Sequence, residues 1–595
     1  PLPASPEASI HPGGPGGSEG PCDPLESWTL DVSPEDFAAR VSAIRRAIEA
    51  GETYQVNLTA RMRALSKGAH AAGRPGGQPE GFDFDGSAAC RRLYDRLRRS
   101  QGDGYHALLE LDHQTVVSAS PELFFQIRGR EVTVRPMKGT RPRGRWLEED
   151  EALARELRDS EKEQAENRMI VDLLRNDLGR VAAIGSVRVP RVFDVERYRT
   201  VLQMTSTVTG TLPRGAGFVD VLRALFPSGS VTGAPKIRTM KLIAELESSP
   251  REVYCGAIGY VEGGSGDAVF NVPIRTLRID RRARTAVYGT GSGITWGSTA
   301  AEEYDEIRAK ARILTERWPE FDLLETLRLE GGRYRRLERH LARMRDSATY
   351  FGRPFPEVAL REALAEVARR GADRNASVGA GGPREPAREP GTERARASSP
   401  PAVETRAGDP ADAYAGAYKV RTTLSEAGEV GVTVEPLDPA ALEGTSAGRA
   451  SASAEAASGR RPGADDSGQV ALAEAPVDSG DRFLFHKTTH RVVYDGHRAA
   501  RPDVLDVLLW NERGEITEFT RGNVVLEIDG RRLTPTRSSG LLAGCFRAEL
   551  LEEGMVEEAP VMTGDLARAR KIWLVNSVRG WVPVTFPGRE PEDPS

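Results

Sequence analysis

The sequence predicts an α+β protein in two units, a multistranded sheet core with helices followed by a compact α/β unit of two subdomains. Three observations carry that expectation. Short apolar or alternating runs such as "TYQVNLTARM", "EVTVRP" and "DAVFNVPIRTLRI" recur through the first half, without the regular strand–helix–strand alternation of a parallel sheet. A junction, "RWPEF" at 317–321, leads into a new strand, "FDLLETLRLE". Aperiodic stretches rich in Ala, Gly, Pro, Ser and Arg interrupt the chain.

Residues 1–27 are rich in Pro, Gly and Ser and are expected to form a disordered tail. The first unit is expected over 28–318. Ser33, followed by Pro34, Glu35 and Asp36, reads as a helix start, and Phe37, Val41, Ile44 and Ile48 then recur at helical spacing up to Gly51. A strand follows, then a Gly-rich loop at 66–88 and strands and turns over 105–135. Residues 151–178 read as one long helix closed by Gly179. The strands "SVRVPRVFDV", "YCGAIGYV", "DAVFNVPIRTLRI" and "TAVYGTGSGI" precede a helix from 299 to 316. The second unit is expected over 320–590, with the helix "RRLERHLARMRDSATYF" and the hairpin "YKVRTTLSEAGEVGVTVEPL". Residues 371–413 and 442–475 read as disordered insertions, because such composition buries too little to offset the ordering of the chain.

Over 595 residues, 82 Lys and Arg against 87 Asp and Glu leave a formal charge of −5, which gives no global attraction to nucleic acid or to an anionic membrane. The four cysteines (Cys22, Cys90, Cys255, Cys545) are far apart and form no Cys-x-x-Cys pair, arguing for a reducing compartment rather than a disulfide scaffold. No apolar run approaches the ~18 residues of a membrane span, and no basic-then-apolar leader opens the sequence. A soluble, cytoplasmic protein is the expectation.

Several residues carry chemistry. "TVRPMKGTRPRG" places Lys138 after a strand-like alternation; a lone lysine in such a turn is ordinarily a solvated surface group. Glu163 and Glu166, and likewise Glu303 and Glu306, are three apart on helices, so each pair shares a face. Each alone reads as a solvated face; both facing one cavity would demand a cation, and oxygen ligands that retain water favour Mg²⁺. Lys310 lies four beyond Glu306. "SGSVTGAPKIR", with Thr232 and Lys236, offers an anion cradle at a helix start. Gly291 and Gly293 in "YGTGSGI" offer bare backbone N–H groups, and Arg275 alternates with apolar residues along a strand.

"ETYQVNLTAR", "SASPELF", "RPMKGTRPRG", "ENRMIVDLLRNDLGRV", "FPSGSVTGAPKIRTMKLI", "CGAIGYV", "IRTLRI" and "EEYDEIRAKARIL" occur in that order. Together they resemble the chorismate-binding enzymes, the family of aminodeoxychorismate, anthranilate and isochorismate synthases. Lys138 matches the aminodeoxychorismate branch, where the anthranilate branch has Ala. The resemblance implies that Lys138 is the nucleophile adding at ring C2 of chorismate as the C4 hydroxyl leaves, with Glu122 as the acid/base. It implies Mg²⁺ on Glu166 and Glu306, supported by Glu163 and Glu303. Tyr260, Arg275, Lys310, Gly291 and Gly293 would bind the substrate carboxylates, and Thr232 and Lys236 would line the pocket. A free lysine is almost wholly protonated at neutral pH, so this role asks for a lowered pKa; Arg135, Arg141, Mg²⁺ and desolvation are the expected causes. Many relatives have His where this chain has Gln203, so an imidazole role there is not expected. Ahead of Trp28 the family's usual N-terminal segment is largely missing, so feedback by tryptophan is not expected either.

"LERHLARM", "HKTTHR", "GEITEFTRGNVV", "LTP" and "GLLAGCFR" likewise resemble the fold-type IV pyridoxal-phosphate enzymes, most closely the aminodeoxychorismate lyases. That implies Lys487 as the residue joined to pyridoxal 5′-phosphate and as the base at ring C4. Glu518 would face the pyridine nitrogen, Arg343 would clamp the phosphate, and the turn from Leu542 through Ala543 to Gly544 would add backbone donors. The expected function is conversion of chorismate and ammonia to 4-amino-4-deoxychorismate and then to p-aminobenzoate and pyruvate, a product serving folate biosynthesis in this family. A glutamine amidotransferase subunit would supply the ammonia, and a homodimer would form through the second unit. The alternatives are an anthranilate-type synthase fused to a class IV aminotransferase, and a catalytically dead partner subunit.

Overall fold

The computed structural model describes residues 28–65, 86–315, 317–378, 403–405, 417–437 and 468–586, with the side chains of 371–378 and 403–405 left aside. The expected tail at 1–27, most of the expected loop at 66–88 and most of both insertions lie outside the described residues. The chain divides into two compact units, the first made of Pro1–Pro142 and Ala154–Trp318, the second of Arg143–Leu153 and Pro319–Ser595. The boundary at Trp318 is the expected one; the return of residues 143–153 to the second unit is not visible in the sequence.

In the first unit, the helix Pro34–Glu49 begins as its capping residues dictate, with the Ser33 side chain accepting from the Asp36 N–H at 3.0 Å. Two seven-stranded sheets follow. One runs in the order Trp28–Leu30, Gln55–Leu65, Thr285–Ile294, Thr276–Asp280, Gln114–Ser120, Tyr105–Glu110, with Gly233–Ala234 also pairing to Gln55–Leu65. The other runs Ile258–Val261, Ala268–Asn271, Leu123–Arg128, Glu131–Arg135, Val201–Thr211, Met137–Pro142, with Arg188–Arg197 also pairing to Val201–Thr211. Two of the passages from one sheet to the other are short links with no helix between the strands. Pro121-Glu122 separates Gln114–Ser120 from Leu123–Arg128, and a short link ending in Arg275 separates Ala268–Asn271 from Thr276–Asp280. Both crossings carry a residue singled out from the sequence.

The helix Glu161–Gly179 lays Ile170, Val171, Leu174 and Leu178 against Phe125, Val132, Val134 and Val208 of the second sheet. Full burial of such side chains contributes about 1.5–3 kcal/mol each, which holds this helix, and the glutamates at its start, in one register. The single helix expected over 151–178 is two, Leu147–Asp159 and Glu161–Gly179. Ser160 parts them: its side chain accepts from the Glu163 N–H at 3.4 Å, so it caps the second helix instead of continuing the first. The helix expected over 299–316 runs Ala300–Ala311 and tightens into a 3₁₀ turn at Arg312–Leu314. A helix, Gly86–Gln101, starts within the expected loop.

The second unit holds three sheets. The first joins Arg333–Tyr334, Leu323–Glu330, Ala417–Leu424, Val430–Pro436 and Val403–Thr405. The next joins Val470–Leu472, Asp506–Trp510 and Ile516–Phe519. The last joins Glu557–Glu558, Arg531–Thr534, Asn523–Ile528, Lys571–Asn576 and Gly580–Val584. The expected hairpin is present, Ala417–Leu424 against Val430–Pro436. Both insertions are narrower than expected. The helix Glu357–Val378 continues past 371, and Val403–Thr405 pairs in parallel with Val432–Val434. Val470–Leu472 pairs with Asp506–Leu508, and Val470 and Ala471 are buried. An Ala-rich composition hides such strands because pairing with distant residues, not local pattern, decides them.

Candidate active sites

Lys138 lies on the Met137–Pro142 strand, and side-chain amides hold two of the carbonyls of that stretch. Asn167 Nδ2 donates to the Lys138 carbonyl at 3.1 Å, and Asn167 Oδ1 accepts from Ser206 Oγ at 2.6 Å. Gln203, where relatives place His, donates to the Gly139 carbonyl at 2.9 Å and accepts from Thr140 Oγ1 at 3.0 Å. Gly139 has φ +102°, a conformation side chains rarely adopt, and a β-carbon there would lie 3.0 Å from Glu163 Oε2. Lys138 Nζ stands 3.1 Å from Glu166 Oε2. It also reaches a strand of the other sheet: a β-carbon on Gly293 would lie 2.5 Å from Nζ, 2.9 Å from Gln55 Nε2 and 3.3 Å from Asn57 Oδ1. The glycine is there because the ammonium is.

Asn57 links this pocket to Glu122. Its Nδ2 donates to the Ser230 carbonyl at 2.8 Å, and Ser230 Oγ donates to Glu122 Oε1 at 2.5 Å. Glu122 is 4 % exposed, and burial pushes its carboxyl up to about 7 against the lowering effect of the Ser230 bond. Burial, then the charge of Glu166, also raises the Glu163 carboxyl. Burial opposes ionisation of Glu306, yet Lys310, at 2.6 Å, holds its carboxyl below the usual range, with Lys138 adding to the effect. Lys138 therefore acts on carboxylates from both helices.

Several of the expected site residues have partners within the protein. The Lys236 ammonium bonds Asp177 Oδ2 at 2.5 Å and the Leu225 carbonyl at 2.9 Å, which pins its helix start. Thr232 Oγ1 donates to the Ser228 carbonyl at 2.9 Å, and its own carbonyl accepts from the Asn57 N–H at 2.8 Å, so it braces the pocket from behind. Gly291 is bare because a β-carbon would meet the Leu58 carbonyl at 2.7 Å; its carbonyl accepts from Lys310 Nζ at 2.9 Å. Tyr260 is 65 % exposed on the outermost strand of its sheet. Arg275, at the crossing between sheets, donates to the Gln101 side chain. Among the described residues no three His, Cys, Asp or Glu side chains are gathered at metal-ligating distance, so Glu163, Glu166, Glu303 and Glu306 do not form a ready-made cage. Lysine, not carboxylate, is the nearest partner of Glu166 and of Glu306.

Sequence reasoning missed Gln55, Asn57, Asn167 and Ser230. Gln55 is fully buried, and neither its Nε2 nor its Oε1 has a hydrogen-bond partner. The available signal was the alternation in "YQVNL", where two amides two residues apart share one face of an otherwise apolar strand.

In the second unit a cavity of about 490 Å³ is lined by Lys487, Arg343, His340, Glu518 and Asn523. Burial first, then the Arg343 charge, lowers the Lys487 amine to about 8. Burial pushes the Glu518 carboxyl up to about 7; it accepts from Tyr494 Oη at 2.8 Å, the Leu542 N–H at 3.1 Å and Asn523 Nδ2 at 3.2 Å. In the turn expected to supply backbone donors, the Leu542 N–H donates to Glu518, and the Ala543 carbonyl accepts from Arg343 at 3.0 Å. Arg343 is gripped by Glu325 through two bonds of 2.8 and 2.7 Å, and Glu325 also meets His340 Nδ1 at 2.7 Å. Glu325, a carboxylate inside a strand that reads as plain core, was not singled out. Cys545 is buried at the start of its helix, 3.6 Å from His340 Nδ1.

A lysine amine against a glutamate in the first unit, and a lysine amine lining a cavity together with a buried carboxyl in the second, give the enzyme two lysine-containing candidate sites. The chain belongs to the chorismate binding enzyme family, which matches residues 18–316. The class IV aminotransferase family matches residues 322–408 and 412–585, a class that implies pyridoxal phosphate. Component 1 of aminodeoxychorismate synthase from Klebsiella aerogenes is 40 % identical over 294 residues, covering 48 % of this chain and 59 % of the relative. The same component from Bacillus subtilis is 39 % identical over 285 residues, covering 48 % and 56 %. Anthranilate synthase component 1 from Streptomyces coelicolor is 40 % identical over 291 residues, covering 49 % and 52 %. The chain thus spans somewhat more than half the length of these relatives, and identity alone does not separate the two branches.

Proposed function

We propose that the first unit converts chorismate and ammonia to 4-amino-4-deoxychorismate, and that the second converts this to p-aminobenzoate and pyruvate. The observation that carries the reading is Lys138 Nζ, held against Glu166 in the space a side chain at Gly293 would fill. An alanine at position 138 could do none of this. Lys138 attacks as the free amine, its proton having passed to solvent. The amine then adds at ring C2 while the C4 hydroxyl departs with a proton from Glu122, whose raised pKa keeps it protonated near neutrality. Ammonia adds at C4, and the lysine leaves C2. Glu166 and Glu306, with Glu163 and Glu303 behind them, have the hard oxygen donors that suit Mg²⁺, which would neutralise charge at the substrate carboxylates. Arg275, Tyr260, Lys310 and the Gly291 and Gly293 amides are the proposed contacts for those carboxylates.

The second site fits pyridoxal phosphate by its donors: an amine of lowered pKa, a buried carboxyl opposite, and a guanidinium with N–H groups left beyond its bonds to Glu325 and Ala543. When bound, that cofactor supplies an electron sink. Glu518 would hold the pyridine nitrogen protonated, and Arg343 the phosphate. Lys487 takes the proton from ring C4 as pyruvate leaves C3. Ammonia is proposed to come from a separate glutamine amidotransferase, and a homodimer would form through the second unit.

Incubating the chain with chorismate, ammonium, Mg²⁺ and pyridoxal phosphate tests the reading. p-Aminobenzoate with equimolar pyruvate is expected; anthranilate as the aromatic product would assign the first unit to the other branch.

A further inference from the structure

Residues 143–153 sit in the sequence between Lys138 and the Glu163/Glu166 helix, yet they are built into the second unit. Arg143 is fixed by Asp150 Oδ1 at 2.6 Å and the Tyr350 carbonyl at 2.7 Å, and its guanidinium lies 4.4 Å from the Tyr350 ring centre. Asp150 is fully buried. Tyr350 Oη donates to the Gly144 carbonyl at 2.6 Å. The Trp146 ring meets Phe485 at 5.0 Å, with Arg145 and Arg537 each 4.7 Å from the indole. Trp146 belongs to the apolar cluster that contains Phe485, Leu484 and Tyr494.

These contacts converge on the residues just ahead of Lys487. Trp146 packs on Phe485, while Tyr350, tethered to Gly144, lies 4.3 Å from the ring of the buried His486. His486 is further held by Ser347 Oγ at 2.9 Å. Tyr494 of the same cluster bonds Glu518. The excursion therefore packs on neighbours of both Lys487 and Glu518, which line the cavity.

We infer that the Arg143–Leu153 excursion is a positioning element of the second site: Trp146 and the Gly144–Tyr350 bond fix Phe485-His486 and so aim the Lys487 amine into the cofactor cavity. The inference rests on the reading of that cavity as the pyridoxal-phosphate site. It goes beyond that reading, because a site in the second half of the sequence then depends on residues from inside the first, and cutting the chain at Trp318 would not yield a complete second enzyme.

The test uses the full chain. In Trp146→Ala the dissociation constant for pyridoxal phosphate should rise about tenfold or more, and lyase turnover on supplied aminodeoxychorismate should fall by a similar factor. The pH midpoint of the bound cofactor's absorbance should move, a change that mere loss of stability would not produce. Formation of aminodeoxychorismate from chorismate and ammonium should stay within about twofold of the wild type, since Trp146 belongs to the second unit, and Trp146→Phe should restore the binding. Tyr350→Phe, which deletes one hydroxyl, should weaken cofactor binding by about fivefold and decides the matter if Trp146→Ala misfolds. Unchanged cofactor affinity and absorbance midpoint in both variants would overturn the inference while leaving the functional reading intact. A wild-type chain that takes up no pyridoxal phosphate would overturn the functional reading itself.

Discussion

Replacing Gly293 by alanine should disable the first site and leave the fold unharmed. Gly293 lies in the extended Thr285–Ile294 strand opposite Asn57, so alanine meets no backbone strain. In a strand it would favour the folded state by about 0.5–1 kcal/mol over glycine. Its β-carbon, however, would stand 2.5 Å from Lys138 Nζ and 2.9 Å from Gln55 Nε2. Ordinary contact begins near 3.4 Å, so the amine must retreat by about 1 Å, and a flexible lysine can do so without disturbing the sheet. A misplacement of that size costs roughly 10²-fold in rate, or about 2.7 kcal/mol of barrier. Steady-state formation of aminodeoxychorismate from chorismate and ammonium reads the effect, with lyase turnover and melting temperature as controls. A loss smaller than about threefold at unchanged stability would show that Lys138 does not act from this position.

Lys138→Ala should abolish aminodeoxychorismate formation while sparing turnover of supplied aminodeoxychorismate; retention of more than about a tenth of the synthase rate would exclude covalent catalysis by this residue. Lys487→Ala should lose the covalently held cofactor absorbance and let aminodeoxychorismate accumulate in the coupled reaction, and an undiminished yield of p-aminobenzoate would remove the second site from the pathway. The Glu122 carboxyl, raised to about 7, is protonated below that pH and ionised above it. Normalised to free NH₃, the synthase rate should therefore fall as pH rises through about 7, and Glu122→Gln should erase that limb; a limb that survives the substitution belongs to another group. None of the four cysteines lies in a Gly-x-Cys-x-Gly elbow, so the purified chain should use ammonium and not glutamine. Robust p-aminobenzoate synthesis with glutamine as sole donor would refute this.

Much of the fold was legible in local pattern. Ser33 capping Pro34–Glu49, the hairpin around Gly428 and the boundary at Trp318 each follow from chemistry within a few residues. The motif around Lys138 and those around Lys487 and Glu518 were legible in the same way, because each is a contiguous string. The break at Ser160 and the strand Val470–Leu472 were not, since a serine can cap or continue a helix and an alanine-rich run can pair or remain a loop. Tertiary partners choose between such options.

The sequence by itself determined which residue types the two sites contain, because lysine, glutamate and glycine at fixed spacings state the chemistry without reference to distant neighbours. Only the tertiary structure decided which of them meet. It set Lys138 between Glu166 and Gly293, tied Lys236 to Asp177 and Leu542 to Glu518, and brought the unforeseen Gln55, Asn57 and Glu325 into the sites. It also carried Trp146 to Phe485, across a sequence separation that no periodicity spans. The physical reason is that burial and hydrogen bonding belong to pairs: a carboxyl such as Glu122 acquires its raised pKa from what surrounds it, and the surroundings are assembled from strands far apart in the chain.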